Sequence, residues 1–165
     1  TWALPGTPDY EHRIGGLEKD ELKGCVSHDP LNHEKMVYLR EEKVRRVVKD
    51  IPEQEVEGHQ QGDILLVGWG GTYGHLKTAV NELRKEGLKI GLAQFNYIKP
   101  LPPNTPSIFQ QFNRILVCEL NRGQFMDYLR TVYPEYHYIK YNKVQGQPFT
   151  TVEIEEHVKK LLEAE

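Results

Sequence analysis

Asp63-Ile64-Leu65-Leu66-Val67-Gly68-Trp69-Gly70-Gly71-Thr72-Tyr73-Gly74-His75-Leu76 is the stretch that decides the fold. Its first half is a short, unbroken apolar run, the pattern of a parallel strand covered on both faces. Its second half is a glycine-rich turn leading into Leu76, Ala79, Val80 and Leu83, which keep helical spacing until Gly87, a natural C-cap. Downstream the same alternation repeats. Lys89 to Asn96 reads as a strand, and Pro106 to Phe112 as a short helix. Ile115 to Cys118 is a buried strand, followed by a helix marked by Phe125, Met126, Leu129 and Val132 and stopped by Pro134. Tyr136 to Tyr141 is a further strand. Thr150-x-x-Glu153 has capping-box spacing and opens a last helix with Ile154, Val158, Leu161 and Leu162 on its inner face. Strands alternating with helices through short links predict an α/β fold, a mostly parallel sheet with helices on both faces.

Upstream the chain reads differently. Residues 1–28 are punctuated by Pro5, Gly6, Pro8, Gly15, Gly16 and Gly24 and hold no period of 2 or 3.6. Asp29-Pro30 is a helix start, and the helix is expected to run to about Lys49, with Met36, Leu39, Val44, Val47, Val48 and Ile51 as a rough apolar stripe. Pro52 stops it. This predicts a leading arm and helix over 1–52, an inter-domain connector, and an α/β domain over 53–165. The loop-like start at Thr1 is read as that of a piece cut from something larger.

Composition narrows the function classes. The 165 residues carry 21 Lys+Arg against 24 Asp+Glu, a formal charge of −3, which disfavours a nucleic-acid partner. Apolar residues make up 38%, too many for a disordered chain. Mean hydropathy is −0.62, and no apolar run approaches the ~20 residues of a membrane span, so no membrane association is expected. The first residues have neither a basic start nor an apolar core, so no signal peptide is expected. Cys25 and Cys118 lie far apart and form no disulfide framework or metal knuckle, which fits a reducing cytoplasm. No two of the seven His fall at i,i+3 or i,i+4, and Cys25 with His28 at i,i+3 is a lone pair, so no metal site is expected.

Three loops at the carboxyl ends of the strands hold the candidate site, because ligands of α/β sheets bind there. Gly70, Gly71, Thr72 and Gly74 form the first. Glycines admit close backbone approach, and the following helix N-terminus favours an anion. The same residues also read as a tight turn with Thr72 as N-cap. They do not fit G-x-G-x-x-G, and no P-loop lysine follows. The second loop offers Glu119, Asn121, Arg122 and Gln124 to a substrate or partner, or is a turn with Asn121 as N-cap. Lys143 and Gln145 follow the last strand at the same end. Tyr133, Tyr136, Tyr138 and Tyr141 mark an edge or an interface. Cys118 reads as a core residue. No nucleophile elbow, paired acid/base motif, Walker lysine or cluster-forming cysteine set is present, so the residues by themselves describe a binding or interaction module, with anion or nucleotide binding at Gly70–Gly74 as one reading.

The ordered set Gly16-Leu17-Glu18-Lys19-Asp20-Glu21, Ser27-His28-Asp29-Pro30, Asn32-His33-Glu34-Lys35-Met36 and Leu39-Arg40-Glu41-Glu42-Lys43-Val44 resembles the α subunit of the 2-oxoglutarate:ferredoxin oxidoreductase family. The likeness continues through Val67 to Gly74, Pro100-Leu101-Pro102-Pro103, Glu119 to Gln124 and Asn142 to Phe149. It implies the C-terminal domain of that subunit, similar to the transketolase C-terminal domain. Such a domain is a three-layer α/β/α unit with a five-stranded sheet of order 1-3-2-4-5. Its first strand is antiparallel, here expected at Glu55-Val56-Glu57. The resemblance also implies a parent enzyme that oxidatively decarboxylates 2-oxoglutarate with coenzyme A to succinyl-CoA. That parent would use thiamine diphosphate, magnesium and an iron–sulfur cluster, with ferredoxin as electron acceptor. The chain departs from the whole enzyme, having no Gly-Asp-Gly…Asn diphosphate motif, and its two cysteines fall short of the four ligands of a cluster. No catalytic residue is therefore carried over. No cofactor is expected on this chain, and its expected partners are the preceding α-subunit domains and the β subunit.

Overall fold

The structure, a computed structural model, describes residues 4–11 and 15–164. The chain forms two compact units, Thr1–Arg46 and Val47–Glu165.

In the first unit, helix α1 spans Pro30–Arg46. Asp29 caps it as the sequence predicts, its Oδ1 accepting the Leu31 amide at 2.8 Å. The helix ends three residues before the expected Lys49, and Val47–Asp50 tighten into a 3₁₀ turn. No residue of α1 is buried, and of the expected apolar stripe only Ile51, beyond the helix in the second unit, is in a core. Polar contacts order the unit instead. The segment before the helix is not wholly irregular: Lys19 and Val26 form an antiparallel bridge closed around Asp20, whose Oδ1 accepts the Leu22 and Lys23 amides. Glu18 receives Arg40 Nη1 at 2.9 Å and lies 2.7 Å from His33 Nδ1, and Lys35 pairs with Glu21. The His33 ring thus sits against the Glu18 carboxyl.

The second unit is built on a five-stranded sheet, β1 (Glu57–Gly58), β2 (Gly62–Trp69), β3 (Ile90–Phe95), β4 (Phe112–Glu119) and β5 (Tyr138–Asn142), in the order β1-β3-β2-β4-β5. The four longer strands are parallel, and β1 pairs antiparallel with β3, Glu57 opposite Leu92. Order and direction are those the resemblance implied. The first strand begins two residues later than expected, since only Glu57 and Gly58 reach the β3 ladder.

Helices α2 (Tyr73–Lys85), α3 (Thr105–Phe109), α4 (Gln124–Val132) and α5 (Thr151–Glu163) complete three layers. The period of two along each strand divides the core between the faces. Ile64, Leu66, Ile90, Leu92, Leu116 and Cys118 point to the face covered by α2 and α5, where Leu76, Leu83, Ile154 and Val158 are fully buried. Leu65, Val67, Phe95, Ile115 and Val117 point to the other, against Phe109 of α3 and Phe125, Met126 and Leu129 of α4. The tyrosines resolve into packing. Tyr133, Tyr136 and Tyr138 surround Phe109 edge-on, and Tyr141 stacks on Phe149 and His157. Cys118 is wholly buried, as read from the sequence, and burial pushes its thiol far above the ordinary cysteine range.

Candidate functional site

The parallel strands deliver the three candidate loops to one rim. β2 ends at Trp69, and Gly70 takes φ +58°, a left-handed conformation that favours glycine. A 3₁₀ turn over Gly70–Thr72 then feeds α2. Thr72 does not cap this helix with its side chain. Its hydroxyl donates back to the Trp69 carbonyl at 3.0 Å and closes the turn. A side chain at Gly71 or Gly74 would meet no atom within 4 Å, so packing does not demand glycine there and the backbone is open to approach. Gln94 Nε2 donates to the Gly70 carbonyl at 3.1 Å and ties this turn to the end of β3.

Glu119 is the centre of the rim. It ends β4 with no exposed surface. A buried carboxylate is costly unless its oxygens are matched with donors. Here four donors converge on it: Trp69 Nε1 (3.2 Å) and Asn121 Nδ2 (3.1 Å), and the Phe125 (2.9 Å) and Met126 (3.1 Å) amides of the first turn of α4. The negative charge at that helix N-terminus also suits the macrodipole. One of the two sequence readings of this loop made Asn121 the cap of α4. The structure gives the amides to Glu119 as well, and Asn121 Oδ1 accepts only the preceding Gly123 amide (2.7 Å) and the Gln124 amide (3.1 Å). Gly123 itself holds the N-cap position at φ +101°, and any Cβ there would come within 2.3 Å of Lys140 Cε.

The third loop joins through Lys143. Its amide donates to the Glu119 carbonyl at 2.9 Å, and its ammonium binds both oxygens of Glu153 at 2.8 Å. Glu153 also completes the expected capping box with Thr150. The Lys143 ammonium, aided by the Thr150 amide, holds the Glu153 carboxyl down at about 2. The ten candidate residues therefore divide by role. Thr72, Glu119, Asn121 and Lys143 hold the rim together. Gly70, Gly71, Gly74, Arg122, Gln124 and Gln145 are exposed on it.

Beside the rim lies a cleft that the sequence did not single out. Its volume is 590 Å³, and Glu53, Glu55, Glu57, Gly70, Tyr73 and Tyr97 are among its walls. The Tyr73 hydroxyl donates to Glu57 Oε1 at 2.6 Å, and Lys77 Nζ reaches both, at 2.7 Å from the hydroxyl and 2.9 Å from Glu57 Oε2. These contacts lower the Glu57 carboxyl and raise the Lys77 ammonium. The acidic wall is fixed to the sheet by Gln54, whose amide donates to Asn104 Oδ1 (2.8 Å) and whose Nε2 donates to the Gln94 carbonyl (3.1 Å). The one sequence signal was the i,i+2 spacing of Glu53, Glu55 and Glu57.

Comparison with known proteins places this geometry. Residues 62–156 match the family described as pyruvate:ferredoxin oxidoreductase core domain II. The chain is 38% identical over 133 residues to the KorA subunit of 2-oxoglutarate oxidoreductase from Mycobacterium tuberculosis, a match spanning 80% of this chain and 20% of that one. It also matches the solved 2-oxoglutarate:ferredoxin oxidoreductase from Magnetococcus marinus, a complex with 2-oxoglutarate, coenzyme A and succinyl-CoA bound. That match has a TM-score of 0.82 and 32% identity, over 96% of this chain and 28% of that one. A split-gene transketolase shares the fold at TM-score 0.52 and 14% identity, over 66% of this chain and 41% of that one. The chain thus spans 20% of the Mycobacterium tuberculosis subunit and 28% of the Magnetococcus marinus chain. Its donors do not fit an iron–sulfur cluster, since of two cysteines one is exposed in the first unit and the other is sealed in the core as a thiol. Among the described residues no three His, Cys, Asp or Glu converge as metal ligands, and no helix is long and apolar enough to cross a membrane.

Proposed function

The chain belongs to the pyruvate:ferredoxin oxidoreductase core domain II family, and from that premise we propose that it is a non-catalytic assembly domain of a 2-oxoglutarate:ferredoxin oxidoreductase α subunit. The parent reaction is the oxidative decarboxylation of 2-oxoglutarate with coenzyme A to succinyl-CoA and carbon dioxide, electrons passing to ferredoxin. Thiamine diphosphate, magnesium and the iron–sulfur cluster belong to the other domains and the β subunit of that parent. The leading residues 1–52 act as the connector, and the two unpaired cysteines fit a cytoplasmic setting.

The observation that carries this reading is the state of Glu119. Among the described residues it is the one fully buried carboxylate, it lies at the end of the sheet where chemistry is expected, and its oxygens already take four internal donors. A general base needs a free lone pair directed at substrate. Glu119 instead fastens Trp69 and α4 to one another, which suits a rigid docking face. Arg122, Gln124 and Gln145 offer that face polar contacts, with the exposed glycines of the first loop beside them. The reading of Gly70–Gly74 as an anion site is weaker, because Glu53, Glu55 and Glu57 line the cleft that Gly70 borders and repel a phosphate.

The test is direct. The purified 165-residue chain, supplied with 2-oxoglutarate, coenzyme A, thiamine diphosphate and magnesium, is assayed for reduction of a viologen dye. No turnover is expected, and sustained substrate-dependent reduction by the chain alone overturns the proposal.

A further inference from the structure

The geometry points to the cleft beside β1 as a receptor for an arginine-bearing segment of a neighbouring polypeptide, seated between the Glu53 and Glu55 carboxylates and the Tyr97 ring. The inference rests on the assembly reading above, and it names the chemistry of the partner at one place on the docking face.

Three independent observations meet there. The first is space. A cleft of 590 Å³ is far larger than a water site and admits one or two long side chains. The second is charge without a partner. Glu57 is neutralised by Lys77 and Tyr73, whereas the Glu53 and Glu55 carboxylates have no hydrogen-bond or ion-pair partner among the described residues. Glu86 and Glu82, by contrast, pair with Lys159 and Lys85. The third is an aromatic wall. Tyr97 is 44% exposed, although tyrosines elsewhere in this unit pack around Phe109 or against Phe149, and Tyr73 beside it already carries the Lys77 ammonium 5.0 Å from its ring centroid.

Guanidinium satisfies all three, because it pairs with carboxylates in a fixed fork and lies flat on aromatic rings. A phosphate or carboxylate ligand is excluded by the same charges. An apolar segment would leave Glu53 and Glu55 desolvated and unpaired, which is unfavourable. The site is also preformed. The hydrogen bonds of Gln54 to Asn104 and to the Gln94 carbonyl fix the acidic wall to the sheet, so little ordering is needed on binding.

The experiment uses the 165-residue chain and a blocked hexapeptide, Gly-Arg-Gly-Arg-Gly-Gly, followed by two-dimensional amide NMR. The expected result is saturable shifts confined to residues 52–57, 70–73 and 94–97. Binding is expected to weaken at least tenfold in the Glu53→Gln/Glu55→Gln double variant and to vanish for the peptide with Glu in place of Arg. Both glutamates are exposed and unpaired, so the variant keeps its fold, which an unchanged amide spectrum away from the cleft verifies. Shifts spread over the acidic surface, equal binding by the double variant, or no binding at millimolar peptide would each overturn the inference. The dye-reduction assay is indifferent to these outcomes, so the two proposals fail separately.

Discussion

The two units solve the problem of order with opposite means. The second buries apolar side chains on both faces of a sheet, so that Ile64, Leu65, Leu66 and Val67 are wholly removed from water. The first buries no residue of its helix and leaves Leu22 and Leu31 83% and 73% exposed. Among its described residues it has Glu18 with Arg40 and His33, Glu21 with Lys35, Glu41 and Glu42 with Arg45 and Arg46, and the Lys19–Val26 bridge. Apolar burial is worth about 25 cal/mol per Å² and is insensitive to salt and pH, whereas an exposed ion pair contributes about 0–1 kcal/mol and is screened. Cooperative stability therefore resides in the second unit, and the order of the first depends on conditions.

The sharpest way to break this contrast is a pair of leucine truncations. Leu66→Ala in β2 should cost about 3 kcal/mol, since it opens a cavity in a closed core. Leu31→Ala in α1 should change the same urea denaturation midpoint by less than about 0.5 kcal/mol in free energy. Equal effects would show that the two units share one core. Next in size is Glu119→Gln, which keeps the shape of the side chain but sets an amide NH₂ against some of the four donors. A loss of about 2 kcal/mol is expected, with faster hydrogen exchange at the Trp69 indole and the Phe125 and Met126 amides. Thr150→Ala removes half of the capping box of α5 and should cost about 1 kcal/mol in the same denaturation.

The smallest effect is on the first unit alone and is read by pH. The Arg40 guanidinium and then His33 hold the Glu18 carboxyl down at about 2. A carboxyl lowered on folding stabilises the fold fully above its ordinary value of 4.5, and that contribution disappears as pH falls through about 2. Amide signals of Lys19, Ser27 and His33 should therefore shift between pH 5 and pH 2 while those of β2 and β4 stay in place. Simultaneous loss of both sets would count against the contrast. Glu153, also held at about 2, lies in the second unit, where the packed core of α5 masks its protonation.

Much of this was legible before any coordinates. β2 and β4 announced themselves because a strand covered on both faces must be apolar at every position, as Ile64–Val67 and Ile115–Cys118 are. The capping box at Thr150 is a local signal and reads from spacing alone. β1 has two residues and no apolar pattern, so the residues themselves gave no sign of it, and only the family resemblance did. Asn121 is the cap that one reading of the α4 loop offers, because caps are normally local. Glu119 reaches the Phe125 amide from six residues away, a distance no capping rule spans. The stripe on α1 was real as a pattern, but a pattern states which residues can be buried and not whether anything covers them. The cleft was invisible for a plainer reason, as its walls come from residues 52–57, 70–73 and 92–102, which become neighbours only once β1 has paired with β3.

The direction of β1 has a further consequence. Because this strand runs opposite to the others, the chain joins the sheet from the end that carries the candidate loops, and Pro52 to Glu55 pass along the cleft on their way in. Any polypeptide attached ahead of the second unit is thus tethered within a few residues of the acidic cleft. Short flexible tethers give local concentrations in the millimolar range. A contact of only millimolar strength to a segment so tethered would then be occupied much of the time. The same contact would be almost undetectable between separate molecules at the micromolar concentrations of ordinary binding assays.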